Sequence, residues 1–208
     1  MSAIFDRPLI LLDYETTGLS PNEGDRAIEI GAVRISPDGE IIDRFQTLLN
    51  PGFRVSSFIT SFTTISNDML SSAPTCEQGH IDFCDWMDDD QANIIAHNAS
   101  FDSKFFNMET ENIGYTHKGD FVCSLLLARR IANAPSNKLG DLIDFFGIKS
   151  QGTFHRALYD AEMTAKVWSK LMQIIKNESG LEAVSIEAIQ KLNASPKKNA
   201  KKILTQLA

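Results

Sequence analysis

The sequence is poor in positive charge and in cysteine. Lys and Arg total 20 against 27 Asp and Glu, giving a formal net charge of -7 over 208 residues. A protein that grips nucleic acid through its overall field is usually basic, so any such contact must be local here. The three cysteines, Cys76, Cys84 and Cys123, never occur as C-x-x-C. That excludes a disulfide scaffold and a zinc knuckle and reads as free thiols in a reducing compartment. Long apolar runs are missing too. The stretch 9–12, preceded by Asp6 and Arg7, is too short for a membrane span or a signal-peptide core. The expectation is a cytoplasmic protein with no membrane partner. No internal repeat is visible. What remains is ordinary for a globular chain, 43% hydrophobic and 23% charged. That length carries one domain with a sizeable core and a short extension, expected as 1–180 and 181–208.

The periodicities outline an α/β chain. Residues 8–13 are continuously apolar and end in acid, as in a central strand buried on both faces. Residues 20–25 form a turn, and 27–35 alternate as a second strand. Pro37-Asp38-Gly39 is a hairpin signal leading into a third strand over 40–49. A Ser/Thr-rich stretch to about residue 73 reads as loop with short helical turns. Thr75 and Gln78 make a capping box for a helix through Trp86. Short strands follow at 93–96 and 121–123, with helices at 100–111, 124–132 and 138–146. A long helix over 156–176 carries Leu158, Ala161, Ala165, Trp168, Met172 and Ile175 as one apolar stripe, and Gly180 closes it. In the tail, Ile186, Ile189 and Leu192 are expected to pack back on the domain. The lysine-rich end is expected to be disordered or loosely helical. The order predicts an antiparallel meander, then strands alternating with helices: a mixed sheet with helices on its faces.

Three short motifs carry chemistry, and each has a bland reading. Asp13 and Glu15 are two apart on a strand, so both leave one face while Tyr14 points the other way. Alone they are a polar strand end. Thr16, Thr17 and Gly18 add donors and a glycine that lets backbone approach a ligand. Asp102 lies in the first turn of a helix, where an acid favours the dipole and Asn98 or Ser100 would be an ordinary cap. His97 reads most simply as a satisfied histidine, and Phe101 as core. His155 and Asp160 are five apart, about 140° around one continuous helix, and could not share a site there. They meet only if His155 stands in the loop after Gly152-Thr153 and Asp160 in the first turns of the helix. Together the motifs supply four carboxylates and one imidazole, the ligand set for two hard divalent cations and a base for a water.

Taken jointly, Glu15-Thr16-Thr17-Gly18-Leu19, His97-Asn98-Ala99-Ser100-Phe101-Asp102 and His155-Arg156-Ala157-Leu158-Tyr159-Asp160-Ala161 resemble the DEDDh group of 3'–5' exonucleases in the ribonuclease H-like superfamily. That group includes polymerase proofreading subunits, RNase T and oligoribonuclease. The resemblance covers roughly residues 8–176. A histidine five before the last aspartate, rather than a tyrosine four before it, marks the DEDDh branch. One departure is visible: where that group often has a Thr-Gly-Ile-Thr-like segment, before Met69, this chain reads Thr63-Thr64-Ile65-Ser66.

The resemblance implies a five-stranded mixed sheet and removal of 3'-terminal nucleotides from single-stranded DNA or RNA as nucleoside 5'-monophosphates. Asp13, Glu15, Asp102 and Asp160 would hold two Mg²⁺ or Mn²⁺ ions, and His155 would take the proton of the attacking water. Thr16, Thr17, Gly18, Leu19, Asn98 and Phe101 would hold the terminal nucleotide, with Leu19 and Phe101 against its base. Two rivals stand beside this reading: a proofreading subunit docked on a polymerase, and a non-catalytic binding module, which predicts a missing carboxylate. Partners beyond the 3' end, whether a polymerase or a homodimer mate, are left open.

Overall fold

The computed structural model describes residues 8–150, 155–181 and 183–207. Asp6 and Arg7 lie outside them, as does the Gly152-Thr153 stretch expected to lead into His155. The sheet is built from β1 (Leu9–Thr16), β2 (Ala27–Ile35), β3 (Ile41–Leu48), β4 (Ile94–Ala96) and β5 (Phe121–Cys123) in the order β3-β2-β1-β4-β5. β1, β2 and β3 pair antiparallel, whereas β4 lies parallel to β1 and β5 parallel to β4. The predicted mixed sheet is therefore the observed one, and the hairpin at Pro37-Asp38-Gly39 is closed by Gly39 at φ 88°. The chain leaves β1 on one side for β2 and returns on its other side as β4. That reversal of direction beside a central strand is where open α/β sheets form a crevice.

Between β3 and β4 lie α1 (Ser57–Thr63), α2 (Asn67–Ser71) and α3 (Cys76–Met87). The expected capping box is half formed. Thr75 accepts the Gln78 N–H, but the Gln78 side chain donates to Asp82 at 2.7 Å rather than reaching back. α4 (Ala99–Asn112) follows β4, and α5 (Ser124–Ile131) and α6 (Leu139–Phe145) follow β5. α7 (Ala157–Ser179) is capped by Gly180 at φ 73°, a left-handed position that glycine adopts freely.

Alternation along β1 divides the core. Ile10, Leu12 and Tyr14 pack with Phe83, Phe105 and Phe106 of α3 and α4, whereas Leu9 and Leu11 pack with Trp168, Leu171 and Met172 of α7. Asp13 and Glu15 thus emerge on the face that α7 covers. A third, small cluster of Ile28, Val55, Ile65 and Leu70 supports α1 and α2. At Gly31 the backbone of α7 comes so near that a Cβ would lie 2.0 Å from the Leu158 nitrogen. Gly31 pairs with Asp13 in the ladder, so this contact delivers the start of α7 to the first motif.

The lysine-rich end departs from the expectation. After α8 (Ile186–Ala194) and a 3₁₀ turn at Lys197–Asn199, α9 (Ala200–Leu207) buries Ala200, Ile203 and Leu204 in the same core as α5, α7 and α8. Lys201 and Lys202 are exposed. Apolar residues at 200, 203 and 204 give one helical face enough hydrophobic area to dock despite the lysines. Two bonds tie the tail down: Arg130 Nε donates to the Ser195 carbonyl at 2.9 Å, and Asn193 Nδ2 to the Cys123 carbonyl at 3.1 Å.

Candidate active site

The carboxyl ends of β1 and β4, the start of α7 and one face of α1 enclose a cleft of about 520 Å³. It is lined by Asp13, Glu15, Asp102, His155 and Asp160 together with Thr16, Gly18, Leu19, Asn98 and Phe101. The three motifs therefore meet in one place, and each arrives by its own local device.

Asp13 and Glu15 are held by β1. Between them Tyr14 turns into the opposite core, where its hydroxyl lies 3.0 Å from His80 Nε2. His80 Nδ1 lies 2.7 Å from the Cys76 carbonyl, which only a protonated nitrogen can satisfy, so Nε2 accepts from the tyrosine. Asp102 comes from the other side of the sheet. Asn98 stands at φ 87°, a left-handed conformation asparagine tolerates, and its side chain makes no capping bond. This turn starts α4 beside the strand end and lets Asp102 Oδ1 accept the Tyr14 N–H at 3.2 Å. His97 is satisfied, as expected, with Nδ1 2.9 Å from Ser124 Oγ and Nε2 2.9 Å from the Asn137 carbonyl.

The spacing problem of the third motif resolves at the backbone. His155 precedes the helix in a left-handed conformation, φ 64°, and its N–H donates to Asp160 Oδ2 at 3.0 Å. Its ring stands exposed against Phe62 of α1, centroids 4.0 Å apart. Ligating atoms of Glu15, His155 and Asp160 lie within 4.8 Å of one another. Asp13 and Asp102 line the same cleft without belonging to that tight group.

The electrostatics are those of crowded acids. Burial raises the Asp13 carboxyl well above the usual range, and the charges of Asp102, Asp160 and Glu15 add to it. Burial, then Asp160, Glu29 and Asp102, push Glu15 up to about 8, which Arg156 partly offsets. Burial takes Asp102 to about 7 against the opposing pull of the Tyr14 N–H, and Asp160 to about 6 against that of the His155 N–H. Asp160 Oδ1 is buried with no hydrogen-bond partner among the described residues. Several carboxylates forced together, one with an idle buried oxygen, form a donor set that a hard divalent cation satisfies. The residues present therefore fit Mg²⁺ or Mn²⁺.

Two expectations shift in detail. Thr17 is not among the cleft-lining residues; its hydroxyl donates to Asp25 Oδ1 at 3.2 Å and accepts the Arg26 N–H at 3.0 Å. The space freed by Gly18 is taken by Asp25, since a Cβ there would lie 2.3 Å from its Oδ2. Asp25 also accepts the Ser20 N–H at 2.9 Å, so the glycine serves to brace the loop. Three features escaped the sequence reading. Phe58 and Phe62 of α1 line the cleft and are 71% and 50% exposed, a costly display for aromatic rings unless something covers them. Their spacing of four on one helical turn was the available signal. Glu29, fully buried on β2, is paired across the ladder with Glu15. Its isolation among apolar neighbours in 27–35 was its only mark.

The family model described as exonuclease, RNase T type, matches residues 10–168. The chain is 38% identical over 173 residues to a DNA polymerase III of PolC type from Staphylococcus epidermidis and 38% identical over 188 residues to that of Staphylococcus saprophyticus. The matches cover 82% and 89% of this chain but 12% of each polymerase, so the chain spans only a small part of those relatives. Among solved structures it resembles exonuclease X in complex with 5'-overhanging duplex DNA, at 24% identity and TM-score 0.68, over 89% of this chain and 99% of that one. It also resembles the nuclease domain of 3'hExo, a DEDDh family member, bound to rAMP, at 22% identity and TM-score 0.71, over 83% and 94%. These likenesses show the ribonuclease H-like fold. With the three motifs gathered in one cleft and the family model spanning most of its length, the chain belongs to the RNase T exonuclease family, DEDDh type.

Proposed function

We propose that this exonuclease domain removes nucleotides from the 3' end of single-stranded nucleic acid by metal-assisted hydrolysis. The observation that carries the reading is the cleft itself, lined by the four acids and His155 and, beside them, by Leu19, Phe58, Phe62 and Phe101. Asp13, Glu15, Asp102 and Asp160 would hold two divalent cations, Mg²⁺ or Mn²⁺. When bound, these neutralise the approaching phosphate and supply Lewis acidity. The His155 imidazole accepts the proton of the attacking water. Water oxygen joins phosphorus, the phosphorus–O3' bond breaks, and the 3' oxygen of the preceding nucleotide leaves as a hydroxyl. The product is a nucleoside 5'-monophosphate. Leu19 and Phe101, joined by Phe58 and Phe62, take the terminal base between apolar surfaces. Stacking of this kind is indifferent to sequence and contributes about 1–3 kcal/mol per base.

The rival of a catalytically silent module loses ground, because no carboxylate of the set is absent. Docking on a polymerase draws support from the likeness to part of a DNA polymerase III and is a partner proposal of its own, as is a cytoplasmic location. The test uses single-stranded DNA and RNA oligomers of one sequence, labelled at the 5' end. Ladders shortening from the 3' end with Mg²⁺ or Mn²⁺, abolished by EDTA, are expected. Internal cuts, shortening from the 5' end, or full activity in EDTA would sink the reading.

A further inference from the structure

We propose that Glu29 and Arg156 act as a positioning pair that sets where His155 and Asp160 stand relative to Glu15. The inference rests on the reaction proposed above. Glu29 is 0% exposed, and every bond it makes bears on the junction where the third motif begins or on the strand beside it. Its Oε1 accepts Arg156 Nη2 at 2.8 Å and Gln46 Nε2 at 2.7 Å. Its Oε2 accepts Arg156 Nε at 3.2 Å and the Ala157 N–H at 3.0 Å. The guanidinium grips the carboxylate as a fork, and the Ala157 N–H is one of the donors a helix start leaves unpaired. One carboxylate thus fixes two consecutive residues, 156 and 157. The residue before them, His155, is fixed by Asp160 from within the helix. The backbone N–H groups of 155 and 157 are thus each held by a buried carboxylate.

Adhesion of the helix does not require this pair. α7 runs for 23 residues and buries Ala161, Ala165, Trp168, Met172 and Ile175. A buried ion pair adds little to stability over an apolar pair of similar volume, because each charge must leave water. What it adds is direction. Glu29 and Glu15 stand opposite each other in the β1–β2 ladder, so a rigid link to Glu29 is a rigid link to the neighbour of Glu15. Gly31, two residues along the same face, supplies the room for that approach.

The test uses Arg156→Lys, which keeps the charge and loses the fork, and Glu29→Gln, which keeps an acceptor for Ala157 and loses the charge. Each variant is measured for kcat and KM on an oligonucleotide, for Mn²⁺ affinity by calorimetry and for the melting temperature of the metal-free protein. Residues that orient metal-binding groups typically affect affinity or rate by about 10–100-fold. The expected result is a loss of that size in kcat and in Mn²⁺ affinity, with KM within about twofold and the metal-free protein still folded. Arg156, whose side chain is 32% exposed, keeps the test readable if Glu29→Gln unfolds. Folded variants with wild-type kcat and Mn²⁺ affinity would overturn the proposal, and so would unfolding of both variants, which makes the pair a stability element. A wild-type protein that binds Mn²⁺ but shortens no oligonucleotide would refute the reaction and leave the affinity comparison standing.

Discussion

The four acids of the cleft differ in what each holds when no cation is bound. Asp102 and Asp160 each accept a backbone N–H, from Tyr14 and His155, so each has a structural duty beside its proposed one. Asp13 carries the crowding of its neighbours. Asp13→Asn removes one buried charge from that crowd and is expected to raise the stability of the metal-free protein at pH 8 while abolishing cleavage. Urea unfolding of the two metal-free proteins checks it, and a destabilised variant would assign Asp13 a structural role. For His155, replacement by alanine should lower the rate by about 10²–10⁴-fold, as loss of a general base does. Mn²⁺ affinity should barely change. The ring lies within 4.8 Å of Glu15 and Asp160 ligating atoms, so the alternative of a metal ligand is sterically open. Calorimetry decides: an affinity loss as large as that of Asp160→Ala would make His155 a ligand.

At the scale of elements, α1 is the least supported part of the site. It rests on the small cluster of Ile28, Val55, Ile65 and Leu70, separate from the two main cores, and presents Phe58 and Phe62 to the cleft. Its last turn is closed by Thr64 in a left-handed conformation, φ 62°. A β-branched side chain at positive φ is strained by about 1–2 kcal/mol, a cost that glycine, the residue the resemblance leads one to expect here, avoids. Thr64→Gly gives back part of that gain through the greater freedom of the unfolded chain. A net stabilisation of roughly 0.5–1 kcal/mol is expected from urea unfolding, and a loss would mean that Thr64 is held by contacts that outweigh its strain.

For the whole molecule, the acid cluster makes stability depend on pH in an unusual sense. Glu15, Asp102 and Asp160 rise to about 8, 7 and 6, from ordinary values of 4.5 for Glu and 3.8 for Asp. Between about pH 4 and 8 the folded state then binds more protons than the unfolded chain, so stability falls as pH rises through that window. The melting temperature of the metal-free protein should drop from pH 5 to pH 8, and Mg²⁺ should oppose the drop by binding the deprotonated set. A profile flat in pH without metal would show that the carboxyls are not crowded as described. The same scale governs the tail. Ile186, Ile189, Leu192, Ile203 and Leu204 are buried in the core shared with α7, and burying such a side chain contributes about 1.5–3 kcal/mol. Deleting residues 181–208 should therefore lower the melting temperature steeply or prevent folding. A truncated protein of unchanged stability would favour a tail whose role is to bind a partner.

The sequence by itself determined the element order, the two-residue spacing that puts Asp13 and Glu15 on one face, the core stripe of α7 and the three motifs, because each is a local pattern of period or type. It bounded the histidine problem too: five residues on one helix could not meet, so His155 had to precede the helix. What only the tertiary structure decided is how these pieces face one another. Gly31 admits the backbone of α7, Glu29 locks onto Arg156, Asp25 occupies the space beside Gly18, and α1 sets Phe58 and Phe62 over the cleft. Each is a contact between residues far apart in the chain, and no local period encodes which distant side chain fills a space. The docking of α9 belongs with them. Its lysines argue for solvent and its Ile203 and Leu204 for burial, and the outcome depended on an open apolar surface beside α5, α7 and α8 that the folded protein alone provides.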